Sequence, residues 1–414
     1  MNDTPSIVFA HCARQISSVD ELLTAEDPVI LYCLDPAVSC SPRVIDYGFP
    51  ENPYNVDTAE RISGRSSCAG WAVVALRRVY YLRDFFAVGL DGTVYLMNPR
   101  WRDGWMLDYF GEDVSEIHRR LSMTQSYNTS LSLVASHKLL PADKMVLTPA
   151  ATLTGHVHGH WLFEQLIPLG LWEQIDFFPT IYTMWLKQYQ HELLSLTSYP
   201  GKVVSAESPL LYFDRLLLPV PWADIGCQFA EINRTGWTLD KSRCVNQGGD
   251  MWWRGAHPNL LSSTRRLGER AKGFEAKADK IYVMRDKNST HSICLNEDEV
   301  CRLASRHGFL IVDPSTLSGY DEASLFYNAS VVMGSSGGGI ENIIFSKTGV
   351  TVILISAADS SRTSVACVAA FAEMRLIRIR CPQFTAFDKW YLGGCSSYVA
   401  DLHLLDTILC ELKA

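Results

Sequence analysis

Val331-Val-Met-Gly-Ser-Ser-Gly-Gly-Gly-Ile-Glu-Asn342 runs a β-branched strand into three consecutive glycines and then into the start of an apolar helix. A strand that turns through glycines into a helix is the repeating corner of a parallel α/β sheet. Glycine also lets the backbone take positive φ and approach a ligand closely, and the free N–H groups and dipole of a following helix favour an anion. Ser335, Ser336, Gly337, Gly338, Gly339 and Asn342 are therefore candidate phosphate-side residues, with Gly338 expected at positive φ. The spacing is neither G-x-x-x-x-G-K-[ST] nor G-x-G-x-x-G, which removes support for an ATPase or a dinucleotide-dependent dehydrogenase.

Outward from this corner, strands and helices alternate. Strands are expected over 280–284, 309–312, 330–333 and 350–355, with helices over 297–307, 320–328 and 339–346 between them, the spacing of βαβ units in a doubly wound sheet. A polar stretch over 238–250 suits a linker, and a helix over 257–277 starts through His257-Pro258. These signals divide the chain into 1–245, 246–394 and a C-terminal helix within 395–414. The first part is strand-rich over 29–34, 71–82 and 85–97, the last broken by Asp91-Gly92 as in a hairpin. Helices follow over 160–171, interrupted by Pro168, and over 178–196, then a buried strand over 215–220.

With 414 residues, 47% hydrophobic and 20% charged, the chain can fill more than one core. Its net charge of -8 argues against duplex nucleic acid or an anionic membrane as partner, because both select clustered basic surface. Arg77-Arg78 and the set Arg375, Arg378 and Arg380 read as solvated faces. No apolar run of 18 residues is present and Met1 to Ser6 lacks the basic and apolar regions of a secretion signal, so a cytoplasmic protein without an integral membrane segment is expected. The twelve cysteines form no C-x-x-C pair, which leaves reduced thiols as the default and gives zinc no support.

A second motif is Gly155-His-Val-His-Gly-His160-Trp-Leu-Phe-Glu164. In an extended segment His156, His158 and His160 share one face and could bind a metal. In a helix His160 and Glu164, four apart, share a face as an acid/base pair requires. Lys280-Ile-Tyr-Val-Met-Arg285 carries a guanidinium to the carboxyl end of a strand, where open α/β sheets bind ligands and where its fork suits a diphosphate. No D-x-D triplet is present to hold a divalent ion on such a diphosphate, so metal-independent chemistry without a cofactor is expected.

In order, these segments resemble the family 61 glycosyltransferases. His160-Trp-Leu-Phe-Glu-Gln-Leu-Ile-Pro168 is similar to H-[WF]-x-x-[ED]-x-[LI]-x-P, Tyr282-Val-Met-Arg285 to Y-[VI]-x-R, and Asn296-Glu297 to the N-E pair. Leu317-Ser318 and Leu325-Phe326 match L-S and L-F, and Val332 to Asn342 is similar in part to V-G-x-H-G-A-G-L-x-N. The resemblance spans roughly residues 155–356. It implies a GT-B fold, two Rossmann-like lobes facing across a cleft, with inversion at the sugar and a nucleotide-sugar donor on the C-terminal lobe. Glu164 takes the place of the family's carboxylate near the acceptor, and Arg285 and the glycine loop that of the diphosphate binders. The chain departs from the pattern at Ser336, where the family has histidine, at Gly338 for alanine, at Leu354 for glutamate, and near His291 or Ser292 for an arginine.

The expected activity is inverting transfer from a nucleotide sugar to a glycan or other hydroxyl acceptor. Glu164 is the base, His160 orients it or shares the role, and Arg285, Asn296, Glu297, Ser335–Gly339 and Asn342 form the donor side. Two rivals stay open: a catalytically inactive relative that binds a nucleotide or sugar, and a metal-dependent hydrolase built on His156, His158 and His160.

Overall fold

The computed structural model describes residues 7–9, 14–35, 37–39, 43–48, 66–68, 70–82, 86–89, 94–96, 146–147, 158–184, 186–206, 210–222, 256–273, 278–285, 293–358, 363–384 and 397–412. The expected linker over 238–250, the Asp91-Gly92 turn, His156, His291 and Ser292 lie outside the described residues, as do the side chains of His160 and Glu164.

Two sheets carry the fold. Among the described residues the first has ten strands, of which the two longest, Gly70–Leu82 and Leu210–Trp222, pair antiparallel along nearly their whole length. Phe86–Gly89 and Val94–Leu96 pair antiparallel beyond them, as the expected hairpin requires. On the other flank Val146–Leu147, Thr180–Met184 and Val203–Ala206 run parallel.

The second sheet has six strands, all parallel: β1 (Arg43–Gly48), β2 (Lys280–Val283), β3 (Leu310–Val312), β4 (Val331–Ser335), β5 (Thr351–Ala357) and β6 (Arg375–Cys381). Their order is β3-β2-β4-β5-β6-β1. Five of these strands follow one another closely in sequence, and β1 arrives from far upstream to close the edge. Asp46 on β1 lies opposite Arg378 on β6, and the guanidinium binds its carboxylate through Nε at 2.6 Å and Nη2 at 3.1 Å. Arg378 is thus buried in an ion pair rather than solvated as its sequence setting suggested, and Arg77 and Arg78 both meet Glu26.

Alternate residues of the sheet feed two cores. Ile281, Val283, Val332, Val352 and Leu376 face one side, while Tyr282, Met333, Ile353, Ile355 and Ile377 face the other. Among the described residues the helices are α1 (Val19–Thr24), α2 (His158–Trp161), α3 (Leu169–Gln174), α4 (Gln188–Leu196), α5 (Pro258–Ala271), α6 (Glu297–Arg306), α7 (Gly319–Asn328), α8 (Thr363–Phe371) and α9 (Leu402–Glu411). On the first side α5, α7 and α8 pack, on the second α6 and α9. His257 caps α5 with its Nδ1 accepting from Asn259 N, and Pro258 fills the first turn, where no N–H is needed. Ser318 caps α7 in the same way, its hydroxyl accepting from Asp321 N.

The first core also takes in Trp161, Leu162, Phe163, Leu166, Leu171 and Trp172, and continues to Ile16, Val29 and Trp71. Each fully buried side chain of this size contributes roughly 1.5–3 kcal/mol of transfer free energy. The segment from α2 to α3 is therefore anchored to the same core as the parallel sheet. Between the two helices lies one π-helical stretch, Leu162–Leu166, closed by Ile167 N donating to Leu162 O at 2.9 Å. Pro168 follows and α3 restarts beyond it, the interruption the sequence indicated.

Two expected helices come out differently. Residues 178–196 form the strand Thr180–Met184 and then α4, because Ile181-Tyr-Thr183 is branched and aromatic and pairs with Val203–Ala206. Gly339–Phe345 is a 3₁₀ helix rather than an α-helix. Most of the described cysteines are buried or partly so.

Candidate active site

The strand order places a topological switch between β2 and β4. From β2 the chain crosses through α6 to β3 on one side, and from β4 it proceeds to β5 and β6 on the other. Crevices at the carboxyl ends of such strands bind ligands, because the connecting loops part there. Arg285 follows β2, Ser335 ends β4, and Glu297 begins α6, so the three converge at this crevice.

Glu297 fixes the rim. Its Oε1 accepts from the Tyr282 hydroxyl at 2.7 Å and from Arg285 N at 3.0 Å, and its Oε2 accepts from Ser335 Oγ at 2.9 Å. Burial first, and the Glu297 charge next, push the Tyr282 phenol well above its ordinary range, so it stays a donor. Asn296 ties the rim to the C-terminal segment: Nδ2 donates to Ala400 O at 2.9 Å and Oδ1 accepts from Ala400 N at 2.8 Å. Asn296 and Glu297, expected on the donor side, are thus both engaged in holding backbone.

The glycine loop narrows in the same way. Ser336 is fully buried and its N–H donates to Ile355 O at 2.8 Å. Gly338 has φ of -62° and ψ of -33°, so the expected positive φ is absent, because the chain enters the 3₁₀ helix directly in right-handed geometry. That helix has only seven residues, so the dipole an α-helix would add at this loop is small. At Gly337 a Cβ would overlap Arg285 Nη1, so the guanidinium lies against the loop only because this residue has no side chain.

Gly338 makes a different contact: a Cβ there would sit 3.5 Å from Gly159 N and 3.7 Å from His158 Cβ. The histidine segment and the glycine loop are therefore direct neighbours. At Gly159 a Cβ would overlap Glu341 Oε2, and Ser364 Oγ holds the other oxygen of that carboxylate at 2.8 Å.

His158 secures this docking. Its Nε2 lies 2.8 Å from Asn342 Oδ1 and its Nδ1 3.1 Å from the Tyr189 hydroxyl. Asn342 Nδ2 donates to Glu322 Oε1. The amide oxygen then accepts from His158 Nε2–H, and the remaining ring nitrogen accepts from Tyr189. Burial raises the Tyr189 phenol pKa, and the Glu322 charge adds to this. Glu322 is fully buried on α7, and that burial raises its carboxyl pKa against the opposing pull of His158 and Asn342. His158 has both nitrogens committed to protein groups, which leaves it unsuited to the metal cluster that the spacing of His156, His158 and His160 suggested. Asn342 acts here as a link between helices.

Tyr189 and Glu322 are not among the residues expected from the sequence motifs. A signal for Glu322 existed: on α7 it shares the buried face with Ala323, Leu325 and Phe326, where an acid needs a partner. Nothing comparable marked Tyr189.

The geometry thus joins three separated motifs, Gly159 with its neighbours, Arg285, and the loop before Asn342. Residues 158–354 match the family described as Glycosyltransferase 61. Over this segment the chain is similar to that family. No curated protein matches the chain. The matched segment starts at α2 and ends within β5, so it holds Arg285, the glycine loop and the helix α2 docked on that loop.

The contacts of the two central glycines predict opposite behaviour. Gly337→Ala moves the Arg285 guanidinium and should weaken nucleoside-diphosphate binding about tenfold, roughly 1.4 kcal/mol, with little change in melting temperature, since only the end of a flexible side chain must shift. Gly338→Ala meets ordinary contacts and should bind as wild type does. Calorimetric titration of the three proteins checks the ranking, and equal affinity for all would remove Arg285 and this loop from the diphosphate seat.

Proposed function

We propose that this chain is an inverting, metal-independent enzyme that moves a sugar from a nucleotide-linked donor to a hydroxyl acceptor in glycan assembly. The supporting observation is the meeting of Arg285, the Gly337–Gly339 backbone and the His158–Leu166 segment at the switch point of the parallel sheet. In this reading Arg285 and the loop receive the diphosphate as it leaves, where charge develops. Glu164 removes the acceptor proton, with His160 orienting it or sharing the task. Asn296 and Glu297 act by holding the rim, and Asn342 by holding α2 against the loop. The division into an acceptor side over 1–245 and a donor side over 246–394, as GT-B lobes, belongs to the same proposal.

A second reading, a binding-only relative, has one observation in its favour. Ser336 and Leu354, where the family pattern carries histidine and glutamate, are both buried and offer no such group to the crevice. A panel of nucleotide sugars assayed for transfer or donor hydrolysis, with and without a chelator, separates the readings. We expect turnover with at least one donor, unchanged by the chelator. Turnover that needs an added divalent ion would contradict metal independence, and nucleotide binding without turnover on any donor would favour the binding-only relative.

A further inference from the structure

We propose a second, non-catalytic site: a divalent transition-metal site of the zinc class formed by His307, Asp406 and Cys410. It stands apart from the nucleotide crevice. Glu297 and His307 mark opposite ends of α6, whose ten residues span roughly 15 Å at the usual helical rise.

The ligand atoms of the three residues all lie within 4.8 Å of one another. A tetrahedral zinc with bonds of about 2.0–2.3 Å sets its ligands roughly 3.3–3.8 Å apart, so small side-chain shifts suffice. Asp406 and Cys410 are one turn apart on α9 and therefore share a face. His307 comes from the end of α6, where its backbone N–H donates to Leu303 O and Ala304 O and the ring is almost wholly buried. Leu405, Ile408 and Leu409 of α9 share the core with Val300 and Leu303 of α6, which sets the spacing between the two helices.

The donor set decides the class of metal. Imidazole, carboxylate and thiol together suit zinc or cobalt, whereas calcium and magnesium select oxygen alone. A groove of about 510 Å³, lined by Asp406 and His403 together with Glu299, Arg302 and Arg306, opens beside one of the three ligands.

Without metal, His307 Nε2 holds the ring proton toward Asp406 Oδ1 at 2.7 Å. Metal binding at Nε2 moves that proton to Nδ1, which is buried without a hydrogen-bond partner, and releases the thiol proton of Cys410. Arg306 adds positive charge beside Asp406, while Arg302 is balanced by Glu299 at 3.0 Å. Both costs make the ion exchangeable and removable by a chelator. Its effect is to pin α9 to the end of α6.

Tag-free, chelator-stripped full-length chain titrated with Co2+ provides the test. We expect a thiolate-to-cobalt absorption band that saturates at one equivalent and disappears in Cys410→Ser. Cys410→Ser and Asp406→Asn, both at exposed or half-exposed positions, should each weaken Co2+ binding by roughly tenfold or more, at least the effect of an outer-shell change. Zn2+ should raise the melting temperature of wild type and leave that of Cys410→Ser unchanged. Absence of a saturable band, or a band undiminished in Cys410→Ser and so arising from another thiol, would overturn the site.

Discussion

Replacing Glu164 by Gln should lower sugar transfer by at least ~100-fold, the worth of a positioned general base, while fold and nucleotide affinity stay as in wild type. The substitution keeps size and removes only the proton-accepting charge. Glu164 lies in the π-helical stretch Leu162–Leu166, directly after the α2 turn whose His158 and Gly159 touch the glycine loop. Such π insertions displace one residue from regular helical register and are frequent at functional sites. The bulk of that stretch is held in the core by Leu162, Phe163 and Leu166, so the variant has no reason to unfold. Steady-state turnover on the donor found in the nucleotide-sugar panel, with calorimetry on the same samples, checks this. Turnover within a few-fold of wild type would transfer the role to His160.

Asn342→Ala should destabilise the chain by ~2–4 kcal/mol, because it removes in one step the donor to a wholly buried carboxylate and the acceptor for His158. What remains is Glu322 facing the His158 ring at 3.5 Å. Glu322→Gln gives the complementary result. With its folded pKa raised above the ordinary value of 4.5, Glu322 holds its proton longer in the native state than in the unfolded one. Its contribution is therefore fully present below about pH 4.5 and is lost as pH rises through the folded pKa. Relative to wild type, Glu322→Gln should gain stability between pH 4.5 and 7.5. Urea unfolding of the three proteins at both pH values measures this, and a wild-type advantage over Gln that grows with pH would contradict the burial of an ionisable acid there.

The C-terminal alternation was legible because buried parallel strands are continuous apolar runs, as in Val331-Val-Met333 and Val350 to Ile355, and each is bounded by glycine or serine. The placement of Arg285 beside the glycine loop followed from the same pattern, since both sit at carboxyl ends of strands. In residues 178–196 one helical period runs across two elements, and it masks the break at Pro179 and the branched run Ile181-Tyr-Thr183 that forms a strand. The edge strand β1 was not legible, as its pairing with β6 across more than three hundred residues is fixed by tertiary contacts such as Asp46 with Arg378. The same reason hid the link from Tyr189 through His158 and Asn342 to Glu322, which joins residues from four separate elements. Positive φ at Gly338 was an inference from residue type alone, and the structure uses this glycine for close approach to Gly159 instead.

Hydrogen exchange of the wild-type chain, with and without a saturating nucleoside diphosphate, tests most directly whether the switch point is the donor seat. The amides following β2 through Arg285 and those from Gly337 to Phe345 should exchange more slowly in the presence of the nucleotide, while the ten-stranded sheet stays unchanged. Protection confined to other segments, or no binding by any nucleoside diphosphate, would contradict the assignment.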